Sequence, residues 1–584
     1  MKKFENVENK IILRIKDRVC ETAEELISSK PFKEFLKIAI NSLIERNSIL
    51  LNIFSKDKID ENNIELLIKT LLYLSKMEAN LVINVLPESS CFFNDKILFN
   101  DFVEYLYDYW RSFDRFIICD STGDRLDKRP YRTFNATIES LTHLIRGVYR
   151  DIQENITGSH PRIYRQVTAG AEIATIALPK KLLLPDEYKS FNKISIIRQI
   201  LLCPPLILET SSNKRTGQFV KIDFNPLKNL NIKKDDWLCY PAKVGPLLIL
   251  IYFNKKFFDL GFSLCNLFEL ADDKDLERKP DGIYFFGVPK NVLKDVQSFP
   301  TVFYDDEKND IIVATVPYDK MFGYFGYLKK MVLTMHNIKM MKKGILPFHG
   351  ALTHIILKGN KSATILIIGD TGAGKSETLE AFRVLSKTYL QDLIIIADDM
   401  GSIHINENGE IIGYGTEIGA FLRIDDLKPG YAFGQIDRAI IMNASQINAR
   451  IILPVTNYST VMKGYKIDFI LYANNYEEID EQHPVIEKFN SPDEALKVFR
   501  EGTVASKGTT TSTGIVHSYF ANIFGPVQYK ELHEKIAKKY FEKFFEKNIF
   551  VGQMRTRLAI KGFELKGPEE AAKELFKLLS DYKK

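Results

Sequence analysis

The sequence predicts a mixed α/β protein of two or three domains, and three observations carry that reading. The first is length. At 584 residues the chain exceeds what one hydrophobic core usually serves, so it divides. The second is a change in texture. Apolar residues recur at three- and four-residue spacing up to about residue 115, then give way to short β-rich runs between turn residues. The third is "SATILIIGDTGAGKSETLEAFRVLSKTY" (362–389), where an aliphatic strand breaks into glycines and continues as a helix.

Taken in order, residues 1–115 read as a helical N-terminal region. The segments "NKIILRIKDRVCETAEELI", "PFKEFLKIAINSLIERNSILLNIF" and "NNIELLIKTLLYLSKMEANLVINVL" each show helical spacing, and none carries an evident catalytic group. Residues 116–340 read as a mixed-sheet domain built from "RFIICDSTGD", "AEIATIAL", "LLILIYF", "DGIYFFGV" and "NDIIVATVP". Residues 341–584 run strand, glycine loop, helix, a second buried strand "LIIIADD", further strands and two amphipathic tail helices, "QYKELHEKIAKKYFEKFFEK" and "PEEAAKELFKLLSDY".

Composition excludes several classes. Hydrophobic residues make up 45% and charged residues 27%, a globular balance. A net charge of +5 on 155 charged side chains argues against a nucleic-acid or membrane surface, where basic residues cluster. The six cysteines are scattered with no Cys-x-x-Cys pair, as expected of thiols in a reducing compartment. "MKKFENVENKIILRIKD" has no apolar h-region, and "GPLLILIYF" (245–253) is too short to span a bilayer. A cytoplasmic protein is expected.

The glycine loop carries the chemistry. Gly369, Gly374, Lys375 and Ser376 fit G-x-x-x-x-G-K-[ST] with a strand before and a helix after. In that context the backbone N–H groups of Gly369, Asp370, Thr371, Gly372, Ala373, Gly374, Lys375, Ser376 and Glu377 wrap a phosphate, helped by the positive end of the helix. Lys375 neutralises phosphate oxygens and the Ser376 hydroxyl reaches a Mg²⁺ carried by the nucleotide. Asp398–Asp399, closing "LIIIADD", supplies carboxylates at the end of a neighbouring strand. A nucleotide such as ATP, with metal, is therefore expected. The loop by itself does not choose among motor, GTPase, kinase and transporter.

Further segments resemble the phosphoenolpyruvate carboxykinases, especially the ATP-using branch, over the second half of the chain from about 311. "YFGYLKK" (324–330) resembles that family's Tyr-x-Gly-Glu-Met-Lys-Lys. "GILPFHGA" (344–351) resembles the segment holding its metal-binding histidine. After the loop and acid pair come "YGTEIGAFLRI" (414–424), "NARIILPV" (448–455), "GTVASKGTT" (502–510) and "YFANIFGP" (519–526), each similar to a family element in the same order.

The resemblance implies a two-lobed fold with a phosphate-loop C-terminal domain and, here, an N-terminal helical extension. It implies a tight metal, typically Mn²⁺, on Lys330, His349 and Asp399, and the nucleotide's Mg²⁺ on Ser376. A lysine ligates only as the neutral amine, so Lys330 needs a depressed pKa. The implied catalytic set is Lys330, Lys375, Asp398 and Arg450. Arg450 would contact the transferring phosphoryl group, Tyr324 would lie by the substrate carboxylate, and Arg125 of "STGDRLDKRPY" is the nearest counterpart of the dicarboxylate-binding arginine, with Arg162 and Arg165 as competitors. Oxaloacetate decarboxylation with phosphoryl transfer from ATP to the enolate is the activity implied, with nucleotide and small carboxylate as the partners.

Departures keep other readings open. Tyr327 stands for the glutamate of the Lys-Lys segment, and Gly350-Ala351-Leu352-Thr353 replaces Cys-Ser-Ala-Asn. The loop ends on Glu377, and with Asp-Asp downstream this looks like HPr kinase/phosphorylase, which shares the nucleotide core. A kinase with a hydroxyl acceptor, or a non-catalytic nucleotide-binding regulator, are the alternatives. Lys329–Lys330 also read as surface lysines, His349 as a core histidine and Arg450 as an ion-pair partner of the Glu417 element.

Overall fold

In the computed structural model, strands and helices alternate along the chain and several mixed sheets form, as a mixed α/β class requires. The structure describes residues 3–15, 18–54, 59–120, 128–211, 219–228, 230–294, 296, 301–359, 361–385, 390–424, 433–446, 449–507 and 513–582. Two units form. One comprises Met1–Lys180 with Ser195–Pro204, the other Lys181–Ile194 with Pro205–Lys584. Among the described residues no helix is long and apolar enough to cross a membrane.

The first unit is not the all-helical layer expected for 1–115. It opens on an antiparallel hairpin, Lys3–Val7 with Lys10–Ile15. Lys10–Ile15 then pairs in parallel with Asp114–Asp120, which pairs in parallel with Ile173–Leu178, and Ile196–Leu202 adds antiparallel to the last. "KIILRI" is buried at all six positions. A short, mostly apolar segment of that length fits a buried strand as well as a helix, and periodicity does not separate them. Helices Lys30–Glu45, Glu61–Leu74, Lys96–Arg111 and Lys128–Thr157 bear on the same core, which holds Phe35, Leu71, Phe102, Ile138 and Ile152. Their starts are well marked. Ser29 accepts from the Phe32 N–H, and Asp60 with Asn63 forms a reciprocal capping box. A boundary at 115/116 would cut the Asp114–Asp120 strand.

The second unit holds two large sheets. In one, Trp237–Val244, Leu247–Asn254, Gly282–Val288, Ile311–Pro317, Val302–Asp306 and Val220–Ile222 lie in that order. The other centres on Leu346–Leu357 and Lys361–Ile368, which are antiparallel, with Phe469–Asn474 parallel to the latter and Phe550–Arg555 parallel in turn. Leu346–Leu357 is long enough to pair with Met400–Ile405 along its first half and Leu390–Ala397 along its second.

The helix Phe325–Lys342 packs against strands of both sheets and is buried almost all round. Asn337 Nδ2 approaches Met400 Sδ at 3.3 Å on one side, and Tyr284 Oη donates to the Tyr327 carbonyl at 3.3 Å on the other. A helix buried on nearly every face belongs inside a core, here with its polar side chains Lys329, His336, Asn337 and Lys339 buried too. The expected boundary at 340/341 falls within this shared helix, so the β-rich stretch after Pro205 and the phosphate-loop region form one unit.

Candidate functional site

The glycine-rich turn 369–374 forms where the sequence places it, between a strand and a helix. Strand Lys361–Ile368, buried from Ala363 onward, leads through 369–374 into helix Lys375–Leu385. Gly372 has φ +80° and Gly374 φ +94°, conformations that L side chains rarely adopt. A Cβ on Gly374 would also stand 2.5 Å from Thr556 Oγ1. Two neighbouring strand ends hold the loop from behind: Thr556 Oγ1 donates to the Ala373 carbonyl at 2.7 Å and Asn475 Nδ2 to the Gly372 carbonyl at 2.9 Å. Thr371 N–H donates to Asp370 Oδ1 at 2.7 Å. Lys375 is buried, its Nζ donating to the carbonyls of Gly369 at 2.7 Å and Asp370 at 3.0 Å. Ser376 is exposed and Glu377 partly so in the first turn of the helix. Ser376 and Asp398 line one recess of about 20 Å³ with Ala351 and Thr353.

Backbone bonds tie the histidine strand, the loop and the acid pair together. The Gly369 N–H donates to the His349 carbonyl at 3.2 Å, and the Gly350 N–H to the Asp399 carbonyl at 2.9 Å. His349 and Asp399 therefore meet: Nε2 lies 3.0 Å from Oδ1, with the imidazole 3% exposed. His349 Nδ1 contacts the Ala521 carbonyl. A carbonyl only accepts, so Nδ1 carries the proton, and Nε2 of a neutral ring then turns a lone pair toward the carboxylate. Two acceptors at 3.0 Å are reconciled by a proton on Nε2 or by a shared cation. Neighbouring ligands of a small octahedral ion with bonds of about 2.1 Å sit about 3.0 Å apart, so the pair fits a divalent cation.

The lysine is where the structure departs from expectation. Asp399 Oδ2 is bonded by Lys329 Nζ at 2.7 Å, the neighbour of the expected Lys330. Lys330 Nζ stands 4.6 Å above the Phe524 ring. Successive residues on a helix diverge by about 100°, so the two adjacent lysines leave Phe325–Lys342 in different directions. Nor is the paired amine neutral. Burial works against the charge on Lys329, yet Asp399, Glu417 and Asp398 together hold its pKa above the ordinary lysine value. Among the described residues no group of three or more His, Cys, Asp and Glu side chains is arranged to hold a metal; the set here is one imidazole, one carboxylate and a charged lysine.

Glu417 completes the cluster. It is 1% exposed, with Met400 N–H at 3.4 Å from Oε1 and Thr416 Oγ1 bonded to Oε2. Burial, with the charges of Asp399 and Asp398 adding to it against Lys329, pushes its carboxyl up to about 8. Burial and the Asp399 charge raise Asp398 to about 6, opposed by both Lys329 and Lys375. Asp399 goes the other way: burial opposes ionisation, but Lys329 and His349 hold it well below the usual carboxylate range. Asp398 thus feels the phosphate-loop lysine and the buried lysine at once.

Phe421 gathers the remaining candidates. Its ring lies 6.1 Å from that of Tyr324, 5.5 Å from the Arg450 guanidinium carbon and 5.9 Å from Lys329 Nζ. Arg450 opens strand Arg450–Pro454 and stacks on Phe421; its Nε is buried with no hydrogen-bond partner. Arg125 lies outside the described residues, and Arg162 and Arg165 are exposed in the first unit.

Sequence reasoning missed Lys329, Glu417 and Phe421. The signal for Glu417 was a lone acid between two close-packed glycines. A Cβ on Gly415 would stand 2.1 Å from the Ile396 carbonyl oxygen, and one on Gly419 1.8 Å from that of Asn266. No protein-family model and no curated protein matches this chain.

Proposed function

We propose that the chain is an ATP-dependent, divalent-cation-requiring phosphoryl-transfer enzyme of the phosphoenolpyruvate carboxykinase type, converting oxaloacetate to phosphoenolpyruvate and CO₂. The observation that carries the reading is the His349–Asp399 pair, with its Nδ1 proton committed to Ala521, joined through backbone bonds to the phosphate loop. His349 and Asp399 would hold Mn²⁺, with Lys329 beside them, and Ser376 would hold the Mg²⁺ of the nucleotide. A cation there supplies Lewis-acid stabilisation of negative charge on an enolate oxygen.

The chain's own groups account for the rest. The amides of 369–377 and Lys375 orient the triphosphate and take up charge on its outer oxygens. Arg450, with an unpaired buried N–H, spreads a planar cation toward the transferring group. Phe421 fixes that guanidinium by stacking, and Tyr324 shares the same ring.

One observation favours a second reading, a kinase of a hydroxyl acceptor in the HPr kinase manner. Asp398, raised to about 6 and sharing a recess with Ser376, has the basicity of a general base near neutral pH. Decarboxylation needs no such base; a hydroxyl nucleophile does. Incubation with ATP, Mn²⁺ and oxaloacetate separates the two. Phosphoenolpyruvate and CO₂ are expected, whereas ATP turnover on hydroxyl acceptors with oxaloacetate left intact gives the kinase. ATP binding without turnover across a metabolite panel refutes both and leaves a regulator. Arg450→Ala should lower turnover about 100-fold, the scale of one lost transition-state donor, with little change in ATP affinity.

A further inference from the structure

The first unit contains a partly open apolar pocket that the proposed chemistry does not use. A cavity of about 130 Å³ lies among the helices Lys30–Glu45, Lys96–Arg111 and Lys128–Thr157 and the strands beneath them. Phe32, Phe35, Leu106, Trp110, Leu141 and Val148 are among its walls.

The chemistry of the wall is uniform. Trp110 Nε1 donates to the Ala169 carbonyl at 2.6 Å, Tyr149 Oη is bonded to Glu104, and Ser29 Oγ accepts from the Phe32 N–H at 3.1 Å. These polar tips are engaged by the protein, so what they turn to the space is ring face and hydrocarbon. Ordered water needs two to four polar partners, and apolar cavities that lack them stay dry; one of about 150 Å³ takes a benzene ring. The rings are also held in place. Phe35 and Trp110 meet edge to face at 5.4 Å and 85°, and Tyr107 stacks on Tyr149 at 3.9 Å. Collapse is therefore resisted on two sides, and wall atoms without neighbours forgo dispersion contacts that a guest would restore.

We propose that this cavity is a binding site for a small uncharged apolar molecule, one aromatic ring or a short alkyl chain in size. Charge is excluded because no wall group described here offers a free counter-charge, and burying an unpaired ion is prohibitive. Size is limited by the helices and strands that line it.

The full chain carrying Trp237→Phe tests this, because Trp110 then reports from the cavity wall as the only indole. Titration with toluene should change Trp110 emission saturably and raise the unfolding midpoint that emission follows, while benzoate should do neither. Ala171→Leu, which adds three carbons to a lining residue, should weaken toluene binding by at least about tenfold. If that variant fails to fold, Val148→Ile adds one methyl to the same wall and should weaken toluene binding in the same direction. Equal response to toluene and benzoate, a non-saturating response, or unchanged toluene affinity in a folded filled variant would overturn the proposal.

Discussion

Replacing Lys329 by Met keeps the length and apolar stem of the side chain but removes the charge that faces Asp399 at 2.7 Å. The amine's side chain is 3% exposed, so water does not take its place. Asp399 would remain ionised beside Asp398 and Glu417 with no cation in contact. Removing one partner of a buried pair costs about 3–5 kcal/mol. At about 2 °C per kcal/mol for a large unit, the midpoint should fall by about 6–10 °C. Lys330→Met is the control. Lys330 is partly exposed over Phe524, so solvent screens its charge and its removal should lower the midpoint by less than removal of the buried Lys329.

The assay is thermal unfolding followed by Trp237 fluorescence in a Trp110→Phe background. The chain has 2 tryptophans, and Trp237 is the one in the second unit, 4% exposed. pH supplies an internal check. Lys329 is held above its ordinary pKa and Asp399 below its own. A raised base stabilises fully below its unfolded pKa, and a depressed acid stabilises above its own, so the pair contributes fully across neutral pH. In Lys329→Met the unpaired Asp399 titrates upward, and the penalty should shrink between pH 7.5 and pH 5 as it takes a proton. Equal losses in the two variants, or a larger loss for Lys330→Met, would show that the helix presents the other amine to Asp399 and would refute the register argued above.

Glu417→Gln should flatten the fall of stability between pH 6 and 8. A carboxyl pushed up to about 8 holds a proton that the unfolded chain releases, so wild-type stability drops as pH rises through that window and levels above it. The Trp237 midpoint measured at pH 6 and 9 checks this, and an unchanged slope would contradict it. Gly374→Ala combines φ +94° with a Cβ 2.5 Å from Thr556 Oγ1; it should abolish binding of a fluorescent ATP analogue and cost about 1–3 kcal/mol. Retained affinity would show that the loop does not hold the phosphates in this conformation.

The sequence by itself determined the glycine turn 369–374, its strand and its helix, because that pattern is local: glycines at the turns, a lysine at the helix start and aliphatics behind. The family resemblance, not periodicity or spacing, pointed to His349 and Asp399 as partners. It did not determine which of two adjacent lysines turns inward. In Phe325–Lys342 nearly every residue is buried, so no polar face marks the helix phase, and only packing between two sheets chose Lys329. The same applies to Lys10–Ile15, whose four apolar residues beside Lys10 and Arg14 suit either a helix or a strand until Asp114–Asp120, a hundred residues on, provides the hydrogen-bond partners. Glu417 acquires its raised pKa from burial first, with the charges of Asp399 and Asp398 adding to it, and neither burial nor that proximity is written in the local sequence. Tertiary structure decided these points because they depend on contacts between distant segments, where burial and charge act through space and not along the chain.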